Sequence, residues 1–316
     1  MTNSSTPPLT ALALQGGGVH GAFAWGVVDR LLEDGLVPSA ICGVSSGALI
    51  ATGLAQGWAL NGATGARKAM RDLWQRIGTA HMMSPVRNGP LERWLWGWDL
   101  SNSFVWAGIE TAMRLWSPAQ LNPIGHNPLR SILEGWLDRA ALADPAAPKL
   151  FVGATDVQSG RAVLFENHEI TPDVLLASCC LPFVFPAVEI NGRSYWDGGY
   201  SGNPPLQPLL ELGAQKLVLV RAQAMHRSRV PTTQAEILNR LNEIACQNVL
   251  DAELLAVPAA IELESYAADE ALSDLPISSK FNAEPDFLGH LFAAGRAAGK
   301  EERKSSFLER KEAKEL

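Results

Sequence analysis

The sequence predicts an α/β protein: a three-layer α/β/α arrangement around a central, mostly parallel sheet, with a tryptophan-rich, mainly helical insertion and a helical C-terminus. Three features carry that reading. Near the N-terminus two strand, glycine-turn, helix units follow one another, and such units give parallel strands with helices on the sheet faces. Farther on, "KLVLV" is an apolar run of the kind buried on both faces of a parallel sheet. A hydrophobic content of 47% over 316 residues allows a large core.

Residues 1–10 read as a flexible polar leader, without the charged and apolar regions of a secretory signal. "ALALQ" is then a short strand running into Gly16, Gly17 and Gly18, and "AFAWGVVDRLLEDG" has helical spacing with Gly35 as its stop. "SAICG", "VSSG" and "ALIATGLAQG" repeat the plan. From 66 to 121 the character changes to a mainly helical insertion holding Trp94, Trp96, Trp98, Trp106 and Trp116. "KLFVGATDVQSGRAVLFEN" reads as two strands around a Ser159-Gly160 turn, and Asn191-Gly192 marks a hairpin. The sequence divides as an α/β domain over 11–232 and, over 233–316, a helical extension packed on the same domain, ending in a charge-alternating, solvated helix.

A net charge of -7 without a basic cluster excludes a nucleic-acid binder. No apolar run is long enough to span a bilayer, and the expected location is cytoplasmic, with a peripheral contact at the inner membrane surface. Cys42, Cys179, Cys180 and Cys246 lack metal-ligand spacing and read as reduced packing thiols; no metal or organic cofactor is expected.

Three motifs carry chemistry. Gly16, Gly18 and Gly21 fit G-x-G-x-x-G, a loop whose amides can hold a phosphate or another anion. Gly43 to Gly47 fit G-x-S-x-G between a strand and a helix, the setting that lifts a nucleophilic serine, Ser45, to the sheet edge at a helix N-terminus. Asp197, followed by Gly198 and Gly199, ends a strand where a partly desolvated carboxylate can act as a base directly. His81, His126, His168, His226 and His290 read as surface or packing residues, whereas His20 lies inside the glycine loop.

These motifs in this order, together with "ATDVQSGRAVLFE" and "LLASCCLPFVFPAVEING", resemble the patatin-like phospholipase family, particularly its bacterial branch, over about Leu12 to Arg221. The resemblance implies a Ser/Asp-dyad lipid acyl hydrolase. Ser45 is then the nucleophile, Asp197 its general base, and the backbone amides of Gly16, Gly17 and Gly18 the oxyanion hole. Its substrate is a lipid or another long-chain acyl ester. Where many members carry Arg or Lys before the last loop glycine, this chain has His20, an accessory residue that brings positive charge only when protonated.

Other readings remain open at this point. A depolymerase of hydroxyalkanoates or a thioesterase would use the same dyad. A non-catalytic scaffold would bind a membrane or a partner through its aromatic face. A dinucleotide site would need Glu33 or Asp34 to hold a ribose, but both fall at a helix end. The tryptophan segment reads as core or pocket wall rather than a docking face.

Overall fold

The computed structural model describes residues 9–300 except Asn102, Ser228 and Asp274; residues 1–8 of the expected leader and the charged tail past Lys300 lie outside the described residues. The first strand, β1 (Thr10–Leu14), is followed by α1 (Gly21–Glu33), β2 (Ala40–Val44) and the long, kinked α2 (Ser46–Met82). β1 and β2 pair in parallel, Leu12 against Ile41, as two successive strand-turn-helix units require.

Short helices follow: α3 (Pro90–Trp96), α4 (Phe104–Leu115), α5 (Pro118–Leu121), α6 (Pro128–Glu134) and α7 (Arg139–Ala143). The chain then re-enters the sheet with β3 (Lys149–Asp156) and β4 (Ala162–Glu166), and after α8 (Pro172–Ser178) forms the hairpin β5 (Val188–Ile190) and β6 (Arg193–Asp197). Its turn residue Asn191 has φ 51°, as expected for the Asn-Gly pair. The last part comprises α9 (Gln207–Glu211), β7 (Lys216–Arg221), α10 (Gln234–Leu255), β8 (Glu262–Ala267), α11 (Asp269–Leu272) and α12 (Pro285–Lys300).

The strands lie in the order β5-β6-β3-β2-β1-β7-β8, with β4 also paired to β3. The centre is parallel; β4, β5 and β6 supply the antiparallel pairs. Alternation along β1 shows why the sheet is covered on both faces. Leu12 and Leu14 enter the core beneath α1, α2 and α12, while Ala11 and Ala13 enter a second core with Leu209 of α9 and Leu250 of α10. No helix among the described residues is long and apolar enough to cross a membrane.

Two expectations need correction. The region after Thr233 is not uniformly helical: β8 extends the sheet in parallel with β7, pairing Val218 with Glu264. "ELESYA" alternates charged and less polar residues, so it suits an edge strand, and Lys216 of β7 reaches Glu264 at 2.6 Å. The tryptophan segment is core or pocket wall only in part. Trp98 packs at a tilt against Phe287 and Trp106 against Phe281, but Trp94 is 80% and Trp116 49% exposed. No residue of α4 is buried, because this helix meets the domain only along its edge.

The outer helices are clamped by a buried acid. Asp29 of α1 accepts from Arg67 of α2 at 2.9 Å and pairs with Arg296 of α12, and Glu33 meets both arginines on the rim. Replacing Asp29 by Ala leaves two half-buried guanidinium groups short of a partner. The expected loss in urea denaturation, after discounting their exposure, is about 2 kcal/mol.

Candidate active site

Ser45 occupies the one-residue turn between β2 and α2, at φ 54° and ψ −129°. A non-glycine residue there costs about 1–3 kcal/mol, so the surroundings must impose the geometry. They do so at close range. A Cβ on Gly43 would lie 2.5 Å from the Gly47 carbonyl oxygen, and one on Gly47 would collide with the carbonyl of Leu14. The Ser45 N–H donates to the Ser178 hydroxyl at 2.9 Å, and that hydroxyl donates to the Gly153 carbonyl at 2.7 Å. Ser178, at the end of α8, thus ties the turn to β3. The sequence reading missed it, since it lies 133 residues from its partner in a helix without a motif.

Asp197 ends β6 and is 5% exposed. Its N–H donates to the Cys180 carbonyl at 2.8 Å, and its Oδ1 accepts the Gly199 N–H at 2.8 Å. Gly198 sits against the Gly153 carbonyl, where no side chain fits. Burial raises the carboxyl pKa to about 6, while hydrogen bonds from the Gly199 amide and the Ser45 hydroxyl pull it down. The two side chains, 152 positions apart in sequence, line the same cavity, with the hydroxyl near enough to lower the carboxyl pKa.

The glycine loop packs over this pair. The Gly16 N–H donates to Asn203 Oδ1 at 2.9 Å and the Gly17 N–H to Ser46 Oγ at 3.0 Å. These two amides therefore hold the loop in place instead of standing free for an oxyanion, a correction to the expected set. Gly18, at φ 60°, leaves its N–H without a partner among the described residues. Gly21 opens α1 against Ser46. Asn203 was also unforeseen; its buried Nδ2 has no partner among the described residues.

His20 does not take part. It is 1% exposed, its Nε2 lies 2.8 Å from Ser279 Oγ, and its ring meets the edge of Phe287. Burial, then the charges of Lys280 and Arg227, hold its pKa well below the ordinary value against the pull of Glu243, so the ring is neutral. No histidine lines the cavity that holds Ser45.

That cavity has a volume of about 420 Å³. Ser45, Asp197 and the loop form its floor, and Trp106, Met113, Phe183 and Leu238 form an apolar wall. The four thiols are free, and burial pushes Cys180 and Cys246 to about 12. Glu33 and Asp34 lie at the far end of α1, roughly 20 Å from the loop at helical rise, held by Arg67, Arg296 and Arg30. That removes the acid a dinucleotide site needs.

A family model described as patatin-like phospholipase matches residues 12–210. The chain belongs to the patatin-like phospholipase family. No curated protein sequence matches it. Among solved structures it is similar to VipD from Legionella pneumophila, at 14% identity and TM-score 0.39, covering 92% of this chain and 67% of that one. It is also similar to ExoU of the Pseudomonas aeruginosa type III secretion system, solved as a heterodimer with SpcU, at 23% identity and TM-score 0.32. That match covers 91% of this chain and 59% of ExoU, so the chain spans well under two thirds of the ExoU length.

Ser178→Ala would leave the Ser45 amide and the Gly153 carbonyl unsatisfied in the interior. The expected cost is about 2 kcal/mol in thermal or chemical unfolding. Phosphonylation of Ser45 by a fluorophosphonate should slow at the same time, since the turn loses its anchor.

Proposed function

We propose that the protein hydrolyses carboxylic esters of lipids through an acyl-Ser45 intermediate. The observation that carries this reading is that a serine on a strained strand-to-helix turn and a buried carboxylate line one largely apolar cavity. Family membership supports it.

In the first half-reaction Asp197 takes the proton from the Ser45 hydroxyl as its oxygen attacks the ester carbonyl carbon. Negative charge develops on the carbonyl oxygen, and the Gly18 N–H is the loop donor free to receive it, worth about 3 kcal/mol by comparison with other oxyanion donors. The N-terminus of α2 adds favourable potential at the same place. Collapse of the tetrahedral adduct expels the alcohol, which takes the proton from Asp197. In the second half Asp197 removes a proton from water, the resulting hydroxide attacks the acyl carbon, and Ser45 leaves with the proton restored. A base with a pKa near 6 is ionised at neutral pH yet strong enough to accept the hydroxyl proton in the transition state. The acyl chain lies along Trp106, Met113 and Leu238.

A peripheral contact with the lipid surface belongs to the same proposal. Phe183, at 65% exposure, and Leu238, at 49%, both line the cavity and reach its outside, where an acyl chain leaving a bilayer would enter. Polyester and thioester substrates fit the same dyad.

The test is a panel of phospholipids, lysophospholipids, acylglycerols, aryl esters, acyl-thioesters and hydroxybutyrate oligomers. Ser45→Ala and Asp197→Asn should each lower turnover of the best substrate by about 10³-fold or more. Turnover unchanged in Ser45→Ala would remove the mechanism. Absence of turnover and of fluorophosphonate labelling in the wild type would favour a binding scaffold.

A further inference from the structure

The catalytic cavity shares a wall with a second cavity, of about 380 Å³, and the wall is a cluster of buried charges. Its centre is Glu243 of α10, with a side chain 1% exposed. Three cations converge on this one carboxylate. Arg227 reaches it at 2.5 and 3.1 Å, Lys280 at 2.9 Å and Arg240 at 3.4 Å. Among the described residues, three cations thus share a single carboxylate.

Both arginines also donate to backbone carbonyls. Arg227 donates to the Leu272 and Leu275 carbonyls, at 3.1 and 2.9 Å, and Arg240 to that of Met225 at 3.1 Å. Lys280 differs. Its Nζ donates to Asn239 Oδ1 at 2.8 Å and to Glu243, and an ammonium has a third N–H. It is also the member of the cluster's four charged groups that lines the catalytic cavity, with Gln223, Asn239 and Asn242 beside it.

Its position next to the reacting groups is fixed by the backbone. The Lys280 carbonyl oxygen would lie 2.9 Å from a Cβ on Gly18, so the turn Ile277–Phe281 rests directly on the glycine loop. Burial pulls the Lys280 pKa down and Glu243 pulls it up, as for a charge only partly compensated. Among the described residues, the other cavity charges have partners of their own. Glu110 and Arg114 pair with each other at 2.9 Å on α4, and Asp197 is committed to Ser45 and Gly199. Asp99 and Glu236 line the second cavity, where they accept from Ser278 and from the Thr232 and Thr233 amides.

We propose that Lys280 is a specificity-determining residue that receives the phosphate of an anionic lipid while the acyl chain lies against Trp106, Met113 and Leu238. The cavity then selects phosphate-bearing acyl esters over neutral acylglycerols of the same chain. A desolvated ammonium with a spare donor makes a short, charge-assisted hydrogen bond to a phosphate oxygen, and the neighbouring amides complete the cradle. This proposal rests on Ser45 being the nucleophile.

The test compares 1-lauroylglycerol 3-phosphate with 1-lauroylglycerol, both below their micellar concentrations, which share the ester and differ in the phosphate. For the wild type the kcat/KM ratio should favour the phosphate at least tenfold. Lys280→Met should lower the ratio at least tenfold, chiefly through KM, and Lys280→Arg should keep most of it. An equal fall for both esters would make Lys280 a mere support of the glycine loop and overturn the proposal, as would a wild-type ratio near one. A second measurement needs no variant: dodecyl phosphate should inhibit wild-type cleavage of a neutral aryl ester at least tenfold better than dodecanol, and equal inhibition would overturn the proposal. If no ester is cleaved faster by the wild type than by Ser45→Ala, the hydrolase reading itself fails and takes this one with it. Ser45-dependent turnover with an unaltered ratio would remove only the role of Lys280.

Discussion

The arrangement at the sheet edge depends on one backbone conformation, the positive φ of Ser45. A single residue turns β2 into α2, so the strand end and helix start must touch, and side chains at Gly43 or Gly47 would keep them apart. The same crowding fixes the neighbours. Gly47 abuts the carbonyl of Leu14, the last residue of β1, so the turn also sets where the glycine loop departs. Hydrogen bonds then lock the three active segments together. Gly17 is held by Ser46, Gly16 by Asn203 beyond Asp197, and Ser45 by Ser178 from α8. A serine lifted out of regular structure in this way cannot relax without disturbing the glycine loop and α8 with it.

Electrostatics complete what the backbone begins. In a chymotrypsin-like triad a histidine carries the proton and a carboxylate orients it. Among the described residues here, no histidine lines the cavity, and a buried carboxylate shares it with the serine hydroxyl. Burial makes that carboxylate more basic than it would be in water: the shift toward 6 comes from desolvation. His20, buried and neutral, holds on to Ser279 behind the glycine loop, and Lys280, which lines the cavity, comes from the last part of the chain.

The sequence made the parallel sheet centre legible because each strand-turn-helix unit is local: an apolar run, glycines, then a 3.6-residue period. Ser45 and Asp197 were legible for a related reason, since the glycines beside them record close backbone approach. What escaped notice was long-range. Ser178, Asn203 and Lys280 meet partners 37 to 187 positions away, and nothing beside them in the chain marks those contacts. β8 was missed because an edge strand half covered by water alternates weakly, and "ELESYA" passes for one face of a polar helix. The loop amides were misassigned because sequence shows which N–H groups a glycine loop offers, not which of them Asn203 and Ser46 already occupy. Trp94 and Trp116 were misplaced because aromatic content alone does not say whether a helix meets the core by its face or its edge.

The most direct measurement of the dyad is the pH dependence of fluorophosphonate labelling at Ser45, followed by peptide mass spectrometry. With Asp197 as the base, the second-order labelling rate should rise with pH to a plateau, with a midpoint near 6, and fall about tenfold per unit below it as the carboxylate protonates. The midpoint should vanish in Asp197→Asn, with labelling slow at every pH. A wild-type midpoint that persists in Asp197→Asn, or labelling as fast in that variant as in the wild type, would contradict a Ser45–Asp197 dyad.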